Sequence, residues 1–270
     1  MEKRWKDKVL DNLPEGPVVA RVYEGADCRA APPIVLYLHG GAFADIKGDG
    51  EHPVARALAD AGSIVVAPDY RKASEPAFPN ALERAFSVLR YLNGKRKLFG
   101  AARSPLFVAG EEAGGNVAAA AALKARDAIP GDLDGQILLS PLLDPSMGTA
   151  SFRDAEQIGM RQRWSEGWNT YLGFGGGVCH PYAAPCYCSR LAGLAPALVM
   201  TAADDPLRDE AVGYCSRLEK AGVFVRRHVL PIGTGWPLMY GGCCDGDTRW
   251  LEEIRDQFAL FLQTLKARTV

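Results

Sequence analysis

Short apolar runs alternate along almost the whole chain with segments whose apolar residues recur at helical spacing. Val18 to Tyr23, Ile34 to His39, Ser63 to Pro68, Leu106 to Ala109, Gln136 to Leu139, Ala197 to Ala202 and Val223 to Leu230 read as strands, being short, apolar and bounded by turn residues. His52 to Ala61, Asn80 to Leu92, Val117 to Ala125, Arg208 to Ala221 and Thr248 to Lys266 read as helices. Strand and helix in regular alternation predict an α/β chain: a mainly parallel central sheet covered on both faces, with its sites at the carboxyl ends of the strands. A single domain over 1–270 accounts for the whole pattern.

One segment departs from it. Between Leu143 and Tyr182 stand Met147, Phe152, Ile158, Met160, Trp164, Trp168, Tyr171, Leu172 and Phe174, followed by Gly175, Gly176 and Gly177. This is too long and too aromatic for an ordinary connection, so residues 144–182 are expected to form a helical lid over the strand ends. Most of its aromatic side chains are expected to pack the lid onto the body, with one or two facing a ligand.

The most informative stretch runs from Phe107 to Asn116, with Gly110, Glu111, Glu112, Ala113 and Gly114 at its centre. An apolar strand that breaks at a glycine and opens at once into a helix has the form of a nucleophile elbow, G-x-S-x-G, in which small flanking residues let strand and helix pack closely. Glu112 occupies the nucleophile position. A bulky charged group is an expensive replacement at a packed elbow, which argues for a role rather than for drift. Glu111 is expected to point away from the pocket.

Composition narrows the field further. With 270 residues, 48% of them hydrophobic, and a formal net charge of −1, the chain offers no electrostatic footprint for nucleic acid or an anionic membrane surface. Its basic start, Met1 to Lys6, leads into no apolar signal core, and no run of about 18 apolar residues occurs, so a cytoplasmic location is expected. The seven cysteines form no repeated C-x-x-C pair, and Cys186 and Cys188 near His180 supply too few ligands at unsuitable spacing. No metal and no cofactor are expected.

Taken in order, His39-Gly40-Gly41-Ala42-Phe43, Asp69-Tyr70-Arg71, Glu75-Pro76-Ala77-Phe78-Pro79, the Gly110 to Asn116 elbow, Pro181-Tyr182-Ala183-Ala184-Pro185 and Asp205-Pro206-Leu207-Arg208-Asp209-Glu210 resemble the hormone-sensitive-lipase-like, carboxylesterase-like branch of the α/β-hydrolase fold. The resemblance runs from about Pro33 to the last helix. It implies an oxyanion hole built from the backbone of Gly40 or Gly41 with Ala113, and Asp205 as the acid of a Ser-Asp-His triad. The base falls, without gaps, on Gly235, or with a one-residue shift on Trp236, and neither can serve. His39, His52, His180 and His228 are the chain's histidines, and none stands at the expected place. The triad therefore reads as degenerate.

From these residues the sequence suggests a non-hydrolytic enzyme, a cyclase, isomerase or lyase acting on a small, largely apolar metabolite in specialised metabolism. In that reading Glu112 moves a proton, and Asp205 shares the pocket and tunes it. Phe43, Trp164, Trp168, Tyr171 and Trp236 would contact the substrate. Two alternatives are a small-molecule-binding pseudoenzyme, like the gibberellin receptor that resembles this family, and a residual esterase. The only partner expected is the small molecule, apart from a homodimer of the kind this family forms; the shortened region before Ile34 suggests an open pocket.

Overall fold

The computed structural model describes residues 5–25, 30–44, 51–71, 77–173, 180–236, 240 and 248–269. Eight strands form one sheet: β1 (Lys6–Leu10), β2 (Val18–Glu24), β3 (Ile34–Leu38), β4 (Ile64–Pro68), β5 (Leu106–Glu111), β6 (Gly135–Leu139), β7 (Ala197–Ala202) and β8 (Val225–Leu230). Their order across the sheet is β1-β2-β4-β3-β5-β6-β7-β8. β2 runs antiparallel to both β1 and β4, and every other pair is parallel. β1 escaped the sequence pattern because an edge strand reading Lys-Asp-Lys-Val-Leu is mostly exposed and carries no buried alternation.

The helices are α1 (Pro53–Asp60), α2 (Asn80–Gly94), α3 (Glu112–Ala128), α4 (Arg161–Leu172), α5 (Arg208–Lys220) and α6 (Arg249–Thr269). The period of two along each central strand divides the core into two layers. Ile34, Leu36 and Leu38 of β3 pack with α2, α3 and α5, whereas Val35 and Tyr37 pack with α1 and α6. The same division holds in β5, where Leu106 and Val108 face one layer and Phe107 and Ala109 the other.

β5 leads directly into α3. Glu111 is still extended (φ −116°, ψ 145°) and Glu112 is already the first residue of the helix. A Cβ on Gly114 would lie 2.0 Å from the Leu38 carbonyl oxygen, so the first turn of α3 can sit against β3 only because that position is glycine. Close packing at that point brings the helix start beside the loop that follows β3, Gly40 to Ala44.

Within 144–182 the described residues include a short 3₁₀ turn, Ser151–Glu156, and α4. Phe174 and the three glycines after it lie outside the described residues, as do Glu75 and Pro76 of the quoted motifs. Backbone amides of Leu143 and Asp144 donate to Glu210 Oε2 at 2.7 and 2.9 Å, and that of Ser151 donates to Asp209 at 2.8 Å. The two acids that begin α5 thus hold the start of this segment in place. No helix among the described residues is long and apolar enough to cross a membrane.

Candidate active site

Glu112 has φ 51°, a left-handed conformation that costs a non-glycine residue about 1–3 kcal/mol and that the packing of β5, α3 and β3 must enforce. The turn throws the side chain towards the loop after β3, where it is only 2% exposed. There the carboxylate accepts hydrogen bonds from Gly41 N, from Ala42 N (2.8 Å to Oε1 and 2.9 Å to Oε2) and from the indole Nε1 of Trp164 (2.5 Å to Oε1). Two backbone donors and one side-chain donor converge on it. That set offsets the desolvation of the buried group, which explains how a glutamate is tolerated at a packed elbow.

The amide cluster that meets Glu112 overlaps only in part with the donors expected from sequence. Gly41 points into it, but the second loop donor is Ala42, and Gly40 N donates instead to Glu111 Oε1 at 3.3 Å. Ala113 is fully buried beside Glu112 but is not among the donors to its carboxylate. Ala42 and Phe43 both have positive φ, 52° and 56°, and this tight curl turns successive amides the same way. A loop read as His-Gly-Gly shows its curl only in three dimensions, so Ala42 gave no signal beyond its place in the motif.

The loop is braced from behind. Arg71 donates to His39 Nδ1 at 2.8 Å and to Gly40 O at 2.9 Å, and Tyr70 OH donates to His39 O at 2.8 Å. Burial first, then the neighbouring Arg71 charge, holds the His39 pKa well below its ordinary value, so its ring is neutral. Glu111 faces this side. Its carboxylate reaches Gly40 N and is hydrogen-bonded to Tyr37, which belongs to the layer of α1 and α6.

Burial lifts the Glu111 pKa from 4.5 to about 7, opposed by the bonds from Tyr37 and Gly40, and its Oε2 is enclosed without a partner. The folded chain therefore keeps a proton that the unfolded chain has released. Its stabilising contribution is whole below pH 4.5 and is lost as pH rises through about 7. A fall on the order of 1–3 kcal/mol between pH 5 and 8 is expected in urea unfolding. Glu111→Gln should flatten that slope, and an unchanged slope in the variant would remove Glu111 as its source.

Asp205 lies near the end of β7 and is 1% exposed. It accepts bonds from Ser140 Oγ, Thr201 Oγ1 (2.6 Å), Leu207 N (2.9 Å), Trp236 Nε1 (3.1 Å) and Tyr240 OH (2.8 Å). Glu112 is not among its partners, and a chain of contacts links the two carboxyls. Tyr240 OH rests on Asp205, the Tyr240 ring meets Trp164 edge-on at 5.3 Å, and Trp164 donates to Glu112. Burial holds the Asp205 pKa above 3.8, with the bonds from Ser140, Thr201, Leu207 and Tyr240 pulling the other way.

Phe43, Trp168 and Tyr171 form one aromatic cluster, Phe43 stacking on Tyr171 at 4.2 Å and tilting against Trp168 at 4.8 Å. Trp164, Trp168 and Tyr171 stand four and three residues apart on one face of α4, and all three, with Phe43 of the loop after β3, are at most 4% exposed. An open pocket was expected here; α4 instead closes over the elbow. Trp236 departs from expectation too: its ring packs with Trp250 and α6 in the layer on the other side of the sheet, so it does not line this site. Its indole N–H nevertheless reaches Asp205 and Ser140 Oγ (2.7 Å), taking up the acid that a histidine would use. Tyr240, which sequence reasoning passed over, takes the acid's other oxygen.

The remaining histidines are engaged elsewhere. His228 meets Glu253 at 3.2 Å, His52 stacks on His39 at 5.1 Å, and His180 lies against Phe78 at 5.2 Å. Among the described residues no group of three or more His, Cys, Asp or Glu is arranged to hold a metal ion.

A family model described as alpha/beta hydrolase fold matches residues 35–233. Esterase LipI of Mycobacterium tuberculosis is 35% identical over 240 residues, spanning 84% of this chain and 72% of LipI. Carboxylesterase NlhH of the same organism is 34% identical over 224 residues, spanning 80% of this chain and 69% of NlhH. The crystal structure of a thermostable esterase from Pseudomonas putida superimposes with a TM-score of 0.80 at 28% identity, covering 94% of this chain and 81% of that one. These relatives are named for ester hydrolysis. They overturn the expectation of a cyclase, isomerase or lyase of specialised metabolism, which had rested on a carboxylate at the elbow in place of serine and on the missing histidine.

Proposed function

The chain belongs to the alpha/beta hydrolase fold family, and from that membership we propose that it is a residual hydrolase of small carboxylic esters, with Glu112 as its general base. The observation that carries this reading is the convergence of the Gly41 and Ala42 amides on Oε2 of the carboxylate at the elbow, since the same two donors fit the oxygen of an ester carbonyl. In the proposed reaction the carbonyl oxygen takes those amides and the Glu112 carboxylate moves off them. Water attacks the carbonyl carbon and gives a proton to Glu112, and the oxyanion so formed is held by Gly41 and Ala42. It collapses with cleavage of the bond to the alkoxy oxygen, which recovers the proton from Glu112. The products are one acid and one alcohol, and no acyl-enzyme forms. Trp168 Nε1 and Tyr171 OH are buried without hydrogen-bond partners, which supports a ligand bearing acceptors besides the reacting carbonyl.

A single positioned base is worth ~10² to 10⁴ in rate. Turnover should therefore fall far below that of a serine esterase, whose triad contributes about 10⁶. In labelled water, a short-chain ester should yield acid carrying one solvent oxygen, the protein should stay unlabelled by fluorophosphonates, and Glu112→Gln should reduce hydrolysis to the buffer rate. Equal rates in wild type and Glu112→Gln would sink the proposal. A second reading, binding without turnover, is favoured by one observation: Glu112 already fills the donor site. Retention of an intact ester by the wild-type protein is the result that would select it.

A further inference from the structure

The donors around Glu112 come from two parts of the fold that are far apart in sequence. Gly41 and Ala42 belong to the loop after β3, whereas Trp164 stands on α4, in the covering segment. Trp164 is fully buried, and its indole N–H has one acceptor, Glu112 Oε1. Nearby, α4 lies directly on the loop: a Cβ on Gly167 would come within 2.1 Å of the Ala42 carbonyl oxygen. The indole is thus held by close backbone packing, and its direction is fixed before any ligand arrives.

We infer that Gly41 N, Ala42 N and Trp164 Nε1 together form a recognition site for a small monocarboxylate, with Trp164 as the residue that selects a charged carboxylate over a neutral carbonyl compound. Glu112 is the site's built-in ligand. The inference rests on the ester-site reading above, because a carboxylic acid is the product that site would release, but it requires binding only. A neutral amide or ester offers one strong acceptor, which Gly41 and Ala42 can satisfy. A carboxylate offers two, and the second oxygen of an ionised group is where a third donor gains most. Oε1 of Glu112 already takes Ala42 and Trp164 together.

The test vacates the site. Glu112→Gly removes the built-in carboxylate at a position whose φ of 51° glycine adopts without strain, so the elbow is expected to survive. Sodium propionate should raise the melting temperature of this variant saturably and leave wild type unmoved at matched ionic strength in sodium chloride. Propionamide should do little. Adding Trp164→Phe to Glu112→Gly should weaken propionate binding by about ten-fold, the usual contribution of one hydrogen bond to a charged group. If Glu112→Gly does not fold, Glu112→Ser, which also empties the site, carries the same titration. Equal responses to propionate and propionamide, an equal response of wild type, or an affinity untouched by Trp164→Phe would each overturn the inference. None of these outcomes depends on turnover, so an absence of ester hydrolysis in wild type would count against the proposed reaction and leave the binding result standing.

Discussion

Glu112→Leu is expected to destabilise the fold by about 3–5 kcal/mol, a far larger loss than Glu112→Ser. An apolar side chain of similar length would fill the space while leaving the amides of Gly41 and Ala42 and the indole N–H of Trp164 buried without an acceptor. Each abandoned donor costs about 1–3 kcal/mol, and relief from desolvating the carboxylate returns part of the sum. Serine is short enough to admit water, which can satisfy the same donors. Leucine and serine both keep the strained left-handed backbone, so the comparison isolates hydrogen bonding. Urea unfolding of the two variants is the measurement, and a leucine variant as stable as the serine one would mean that the three donors do not depend on Glu112.

Asp205→Ala is expected to cost a comparable amount, about 3–5 kcal/mol, for a different reason. Asp205 gathers Ser140, Thr201, the Leu207 amide, Trp236 and Tyr240, which come from the ends of β6 and β7, the turn into α5 and the stretch after β8. The serine and threonine hydroxyls can rotate towards other acceptors and the Trp236 indole keeps Ser140 Oγ, but the Leu207 amide is fixed and Tyr240 OH loses the bond that ties the stretch after β8 to the acid. The loss should fall on the segment after β8, and hydrogen exchange should show the backbone around Trp236 losing protection before the strands do. Uniform loss of protection, or none, would remove Asp205 as the anchor of that segment.

Much of this architecture was legible in the sequence, because strand periodicity and the glycines of the elbow are local signals. Leu36 and Tyr37 show which face each residue serves by parity alone, and Gly110 with Gly114 marks where β5 must turn. The site was legible only in part. Glu112 was picked out by its place in a motif, but the direction of its carboxylate depends on amides about 70 residues earlier and on an indole about 50 later, whose positions no spacing rule supplies. That Glu111 would be enclosed between Tyr37 and the Gly40 amide had no local signal, because those partners come from β3 and the loop after it, about 70 residues earlier. Trp236 was assigned to the wrong layer because its position in the turn was known and the side of the sheet was not.

The five donors on Asp205 also bear on how readily a serine hydrolase could be built on this scaffold. Restoring a serine at 112 would leave the acid fully engaged by an indole, a phenol, two hydroxyls and an amide, with no imidazole to connect the two. Introducing a histidine first would have to displace Trp236 or Tyr240 from the acid, losing buried packing with no nucleophile yet present to benefit. Each single step towards a serine hydrolase therefore lowers stability without raising turnover. An imidazole brought to Asp205 has to take the place of a partner already there, so the acid is reserved for holding the fold together rather than for polarising a base.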